Sequence, residues 1–147
     1  MRSIPFTLPP PALEAWAPAT LTEETEALGR AVARLEAALA HPKDEFVRDS
    51  AIQRFEFCFE LAWKALKAYL EVQGLEARSP RMALRLAYEV GLVEEGPWLG
   101  LLELRNLTSH TYDEALAERV YSELPQALSL LKALLERLEA ELAREER

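Results

Sequence analysis

The segment Arg105-Asn106-Leu107-Thr108-Ser109-His110-Thr111-Tyr112-Asp113 gathers side chains able to do chemistry. It holds the chain's only asparagine and one of its two histidines, together with an arginine and a tyrosine. An imidazole titrates near neutrality and can take or give a proton, while a guanidinium stays ionised and presents a planar fork of donors to an anion such as phosphate. Spacing limits what they can do together. On a continuous helix Arg105 and His110 would stand about 140° apart, so they share a face only if the chain turns after Ser109 or a second subunit supplies one of them. On pattern alone a structural role comes first, because Arg and His near a helix C-terminus interact well with the helix dipole and the last carbonyls. Tyr112 can likewise pack its ring at a helix junction with its hydroxyl in water, and Asn106 can be an ordinary surface residue.

The elements that must position this segment read as helices. Residues 1–18 carry five of the nine prolines, including Pro9, Pro10 and Pro11, which favours an extended arm over residues 1–19. Thr20 with Glu23 has the form of a capping box, and Leu28, Val32, Leu35 and Leu39 follow at spacings of three and four, predicting a first helix that ends near His41-Pro42. A second helix is expected from about Asp44 to Gln73. Its charged residues Glu56, Glu60, Lys64, Lys67 and Glu71 fall on one stripe, and the rest of its circumference is apolar, more than one neighbouring helix would hide. It should be central, or face both its own bundle and a second subunit. Gly74 suits its C-terminal cap, and Ser79-Pro80 suits the start of a third helix that stops at Gly91. A fourth runs from about Pro97 to Ser109. The fifth begins near Asp113 with Leu116, Val120, Leu124, Leu128, Leu131, Leu135, Leu138 and Leu142 on one face, and Pro125 should kink it. No stretch alternates with a period of two. The expected fold is all-α, an up-and-down bundle of four to five helices over residues 20–147 behind the proline-rich arm.

Composition narrows the classes of function. At 147 residues one domain is expected. No apolar run is long enough to suggest a membrane span and no signal peptide is evident, so the expected location is the cytoplasm. Cys58 has no disulfide partner, the two histidines show no zinc spacing, and no metal or cofactor is implied. A formal net charge of −8 opposes general adhesion to nucleic acid, so any contact with RNA must be local. The pair Glu60 and Lys64 has the favourable i,i+4 order for a solvated face, Cys58 among aromatics reads as a small buried hydrophobe, and His41 beside Pro42 reads as a helix terminator.

Arg105-x4-His110, with polar Asn106 directly after the arginine, resembles the R-x4-6-H signature of HEPN domains. Its extension to Tyr112 resembles the R-x4-H-x-Y form of the toxin half of HEPN/nucleotidyltransferase pairs. The aromatic run from Phe55 to Lys64, Ser79-Pro80-Arg81 and Tyr112-Asp113-Glu114 resemble the nucleotidyltransferase substrate-binding branch of that family, in consistent order over roughly residues 20 to 140. The resemblance implies a bundle that dimerises and brings two copies of Arg105 and His110 into one cleft. It implies a metal-independent ribonuclease toxin with Arg105 and His110 catalytic, Asn106 orienting, a minimal nucleotidyltransferase as antitoxin-like partner, and Tyr112 as acceptor of AMP. The alternative is a non-catalytic subunit that presents a nucleotide or other substrate to the nucleotidyltransferase, with Arg105 and His110 binding phosphate.

Overall fold

The computed structural model describes the backbone of residues 10–145 and the side chains of residues 20–144. Within them the chain forms α1 (Pro10–Ala40), α2 (Glu45–Val72), α3 (Pro80–Glu89), α4 (Glu95–Leu107), a single 3-10 turn (Thr108–His110) and α5 (Glu114–Glu145), with no strand among the described residues.

The boundaries of α2 and α3 follow from their end residues. Asp44 caps α2 by accepting from the Val47 amide at 2.7 Å, and Ser79 caps α3 by accepting from Met82 N at 3.2 Å with Pro80 in the first helical position. Both helices end the same way. Gly74 and Gly91 adopt φ of +84° and +81°, which only glycine enters without a Cβ penalty. Each brings the amide of the next residue back onto the helix, Leu75 N to Leu70 O and Leu92 N to Ala87 O, both at 2.8 Å.

The start of α1 differs from the expected one. The helix begins at Pro10, so residues 10–19 are helical and Thr20 lies within the helix, not at its cap. The physical reason is that the first helical turn needs no amide hydrogens from its own residues, so Pro10 and Pro11 fit there with φ already set. The rest of the expected arm, residues 1–9, lies outside the described residues. α4 also starts and ends two residues earlier than expected, at Glu95 and Leu107. α5 runs on through Pro125.

α2 touches every other element and is the central helix of the bundle. Its Phe55, Cys58, Phe59, Ala62, Leu66 and Leu70 are fully buried against Leu28 and Leu35 of α1 and Val120, Leu124, Leu131 and Leu138 of α5. Each large side chain removed from water contributes roughly 1.5–3 kcal/mol, so this seam dominates the stability of the bundle. The bundle does not cover α2 completely. Phe46 is 84% and Phe57 46% exposed. Among the described residues no helix is long and apolar enough to cross a membrane.

Candidate functional site

The end of α4, the 3-10 turn and the first residues of α5 bring together the segment singled out above. Arg105 stands on the last turn of α4 and leans against α2. Its guanidinium carbon lies 5.4 Å from the centre of the buried Phe59 ring, and Nη2 lies 3.3 Å from Glu60 Oε2. Nη1 donates to Asn106 Oδ1 at 3.3 Å. A cation over an aromatic face, with a carboxylate on one side and an amide on the other, keeps its fork at the surface instead of collapsing onto the helix. Glu60 in turn accepts from Trp63 Nε1 at 3.2 Å.

Thr108 sets the turn. Its Oγ1 lies 2.6 Å from the Arg105 carbonyl oxygen and 3.0 Å from Glu56 Oε2, two acceptors for its one proton. The hydroxyl thus engages a terminal carbonyl of α4 and ties the turn to α2. Ser109 Oγ donates to Asn106 O at 3.1 Å and Thr111 Oγ1 to Thr108 O at 3.0 Å, so the tightened turn is closed by side chains. Asp113 then caps α5, accepting from Ala115 N at 2.9 Å and Leu116 N at 3.3 Å.

His110 closes the 3-10 turn and is exposed; among the described residues its ring meets the edge of Tyr112, centroids 6.1 Å apart with the planes at 71°. Tyr112 is 84% exposed and, with Thr111, lines a groove of about 410 Å³ whose other wall is Asp49, Ile52, Gln53 and Glu56 of α2. The structure therefore brings Arg105 to Asn106 and His110 to Tyr112. No hydrogen bond or ring contact joins one pair to the other among the described residues.

A second tie fixes α5 beside the site. The buried Arg48 donates through Nη1 to Glu114 Oε2 at 2.7 Å and Glu118 Oε2 at 3.0 Å, and through Nε to Asp49 at 3.0 Å. The Arg48 hydrogen bond holds Glu114 below the usual carboxylate range, and Lys43 followed by Arg48 does the same for Glu118. The structure also corrects one pairing. Glu60 faces Arg105, not Lys64, and the i,i+4 ion pair seen on this helix is Lys67 with Glu71 at 4.0 Å. Glu56, Phe59, Glu60 and Thr108 are the members of the site that local pattern does not reveal. Among the described residues no group of three His, Cys, Asp or Glu side chains is placed to hold a metal ion.

Comparison with known proteins places this geometry in a family. Residues 23–140 match the family described as nucleotidyltransferase substrate binding protein like. A relative from Haemophilus influenzae named probable ribonuclease HepT is 36% identical over 94 residues, which are 60% of this chain and 64% of that protein, so the match spans less than two thirds of its length. A crystal structure of a protein from Thermus thermophilus is 44% identical, with a TM-score of 0.71 over 76% of this chain and 98% of that one. A tri-AMPylated HEPN toxin of Shewanella oneidensis, solved with its MNT antitoxin, has a TM-score of 0.68 over 82% of this chain and 97% of that one; at 17% identity it speaks to the fold. The chain belongs to the nucleotidyltransferase substrate binding protein like family, and its fold is that of the HEPN helical bundles.

Proposed function

We propose that this chain is the HEPN member of a toxin–antitoxin-like pair whose other member is a minimal nucleotidyltransferase, and that it is a metal-independent ribonuclease acting as a homodimer. The observation that carries the reading is what stands at the end of α4: a braced guanidinium on its last turn and an exposed imidazole on the 3-10 turn that follows. The name of the Haemophilus relative supports it. In the reaction the ribose 2′-hydroxyl gives its proton to one imidazole and attacks the adjacent phosphorus. The 5′-oxygen leaves with a proton from a second imidazole, giving a 2′,3′-cyclic phosphate and a 5′-hydroxyl. Arg105 stabilises the negative charge that builds on the phosphoryl oxygens. Asn106, bonded to Arg105, orients that guanidinium. One chain carries one such histidine, and no hydrogen bond or ring contact joins its Arg105 to its His110 among the described residues. Two copies meeting at this end of the bundle supply both proton-transfer groups.

Tyr112 presents its hydroxyl to solvent beside His110. AMP attached there by the nucleotidyltransferase would add a phosphate next to the imidazole and repel the RNA backbone. The family description supports a second reading, a non-catalytic subunit in which Arg105 holds the phosphate of a substrate for the partner enzyme.

The test is cleavage of several RNAs in EDTA by the unmodified protein. His110→Ala should reduce the rate by about 10²- to 10⁴-fold, with Arg105→Ala acting similarly, while fold and mass stay unchanged. Incubation with the nucleotidyltransferase, ATP and magnesium should add AMP masses that Tyr112→Phe removes. Absence of cleavage by well-folded protein, with nucleotide binding lost in Arg105→Ala, would overturn the ribonuclease in favour of the second reading.

A further inference from the structure

The exposed face of α2 turned away from Arg105 borders a groove that the ribonuclease reading does not use. Phe57 and Leu61 each stand about 160° around the helix axis from Phe59, the ring beneath Arg105. They form one wall of a cavity of about 270 Å³ whose floor is Ala27 and Ala31 of α1. Arg54 links it to a second cavity of about 170 Å³ beside Ala38 and Phe46. From Phe46 to Leu61 the groove follows about 22 Å of helix, at 1.5 Å per residue.

Its rim is cationic. Arg30, Arg34 and Arg54 all line the groove, and Arg54 Nη1 donates to the Arg34 carbonyl at 2.7 Å, which holds two of these residues together. None of the three has a carboxylate partner among the described residues; Arg81 and Arg137 also lack one but do not line the groove, whereas Arg48, Arg78, Arg85, Arg105, Arg119 and Arg144 each have one. On a chain of net charge −8, three uncompensated guanidinium groups around one apolar trough mark a place where opposite charge is brought from outside.

We infer that this groove docks an acidic amphipathic helix of a protein partner, and, resting on the reading above, that the partner is the nucleotidyltransferase. The apolar face of roughly 15 helical residues fills the alanine floor between Phe46 and Leu61, and its carboxylates meet the arginines. Phe57, 46% exposed in the wall of the larger cavity, is the aromatic anchor. A second copy of this chain fits poorly, because a two-fold contact sets a patch against itself and would crowd arginine on arginine. A strand of RNA fits poorly too. Three cations on an acidic chain give little counterion release, and the alanine and leucine surfaces offer bases no hydrogen bonds.

The experiment measures affinity for the purified nucleotidyltransferase at low and moderate salt. Arg30→Glu/Arg34→Glu/Arg54→Glu should weaken binding by about 100-fold or more and flatten its salt dependence, and Phe57→Ala should weaken it by about 10-fold or more. Helical content, RNA cleavage and dimer mass of the free protein should be unchanged. If the triple variant unfolds, Arg30→Glu/Arg34→Glu, which leaves Arg54 in place, takes its role. Wild-type affinity in the folded variants overturns the inference while leaving the ribonuclease reading intact. Lost RNA cleavage with an unchanged complex would assign the groove to RNA, and a fall to monomer mass would assign it to a second copy; either outcome sinks the helix. Wild-type protein that does not bind the nucleotidyltransferase at all sinks both the pair and this surface.

Discussion

Replacing Thr108 by valine removes one hydroxyl and keeps the shape of the side chain. Thr108 is 7% exposed, and its Oγ1 serves both the Arg105 carbonyl at 2.6 Å and Glu56 Oε2 at 3.0 Å. A hydrogen bond to a charged group is worth about 1.5–3 kcal/mol, but Glu56 is only half-buried and can recover water, so the expected loss is about 1–2 kcal/mol. For a chain of this length that lowers the melting temperature by about 2–8 °C. The consequence for function should be larger than the loss of stability. Thr108 is where α4 tightens, and the turn it closes sets Arg105 relative to His110. Misplacement of a positioned group by about 1 Å costs on the order of 10²-fold, so the cleavage kcat should fall about 10- to 100-fold with KM little changed. Thr108→Ser retains the hydroxyl and should recover most of both. The assay is steady-state RNA cleavage in EDTA alongside thermal unfolding by circular dichroism. A variant that loses the expected stability yet keeps its full kcat would refute the role of this hydroxyl in site geometry, and one that loses neither would refute the hydrogen bonds.

Burial pushes the Cys58 thiol up to about 12, so native protein at pH 8 should resist iodoacetamide and react only as denaturant unfolds it. Fast modification without denaturant would mean that α2 opens locally. The Arg48 cluster predicts an acid limb: Glu114 and Glu118, with folded pKa values below the usual carboxylate range, contribute stability that is present above their unfolded values near 4.3 and is lost as pH falls through the folded ones. Arg48→Met should therefore melt below wild type at pH 7, with the gap closing on acidification; a gap independent of pH would remove the ion pairs from the explanation. Phe59→Ala should cost about 3–5 kcal/mol in urea unfolding, as for a fully buried aromatic, and Phe57→Ala less than about 1 kcal/mol. Equal costs would mean that Phe57 is covered in solution. Light scattering at micromolar concentration should give about twice the chain mass, and a clean monomer would defeat the two-subunit site.

What sequence could and could not supply divides along the range of the interactions. The ends of α2 and α3 were legible because each rests on one or two neighbouring residues: Asp44, Gly74, Ser79-Pro80 and Gly91 act through bonds to amides and carbonyls a few residues away. The turn from α4 to α5 was legible for the same reason, because Thr108, Ser109, Thr111 and Asp113 close it through bonds to groups two or three residues away. The start of α1 was not legible because proline is both a helix breaker and a good first-turn residue, and local pattern does not choose between them. The roles of Glu56, Glu60 and Thr108 were not legible because they are non-local: Glu60 meets Arg105 across 45 residues, and Glu56 meets Thr108 across 52. From pattern alone the two glutamates are one turn of a solvated stripe. Only the packing of α4 against α2 brings that stripe to Arg105 and Thr108.

The same packing sharpens the geometric objection raised by spacing. A straight helix would have held Arg105 and His110 on different faces, and the turn at Thr108 was the expected remedy. The turn is present, yet it delivers His110 to Tyr112 and leaves Arg105 with Phe59, Glu60 and Asn106. Of the two remedies that spacing allowed, the proposed function relies on the second copy, because no hydrogen bond or ring contact joins Arg105 to His110 among the described residues. Mixing wild-type with His110→Ala protein tests this directly. If the base and the acid come from different copies, heterodimers with a single His110 should be about as inactive as His110→Ala itself. Heterodimers that keep about half of the wild-type rate after subunit exchange, verified by mass, would mean that each chain carries its own complete site and that the separation seen within one chain is closed by movement of the turn.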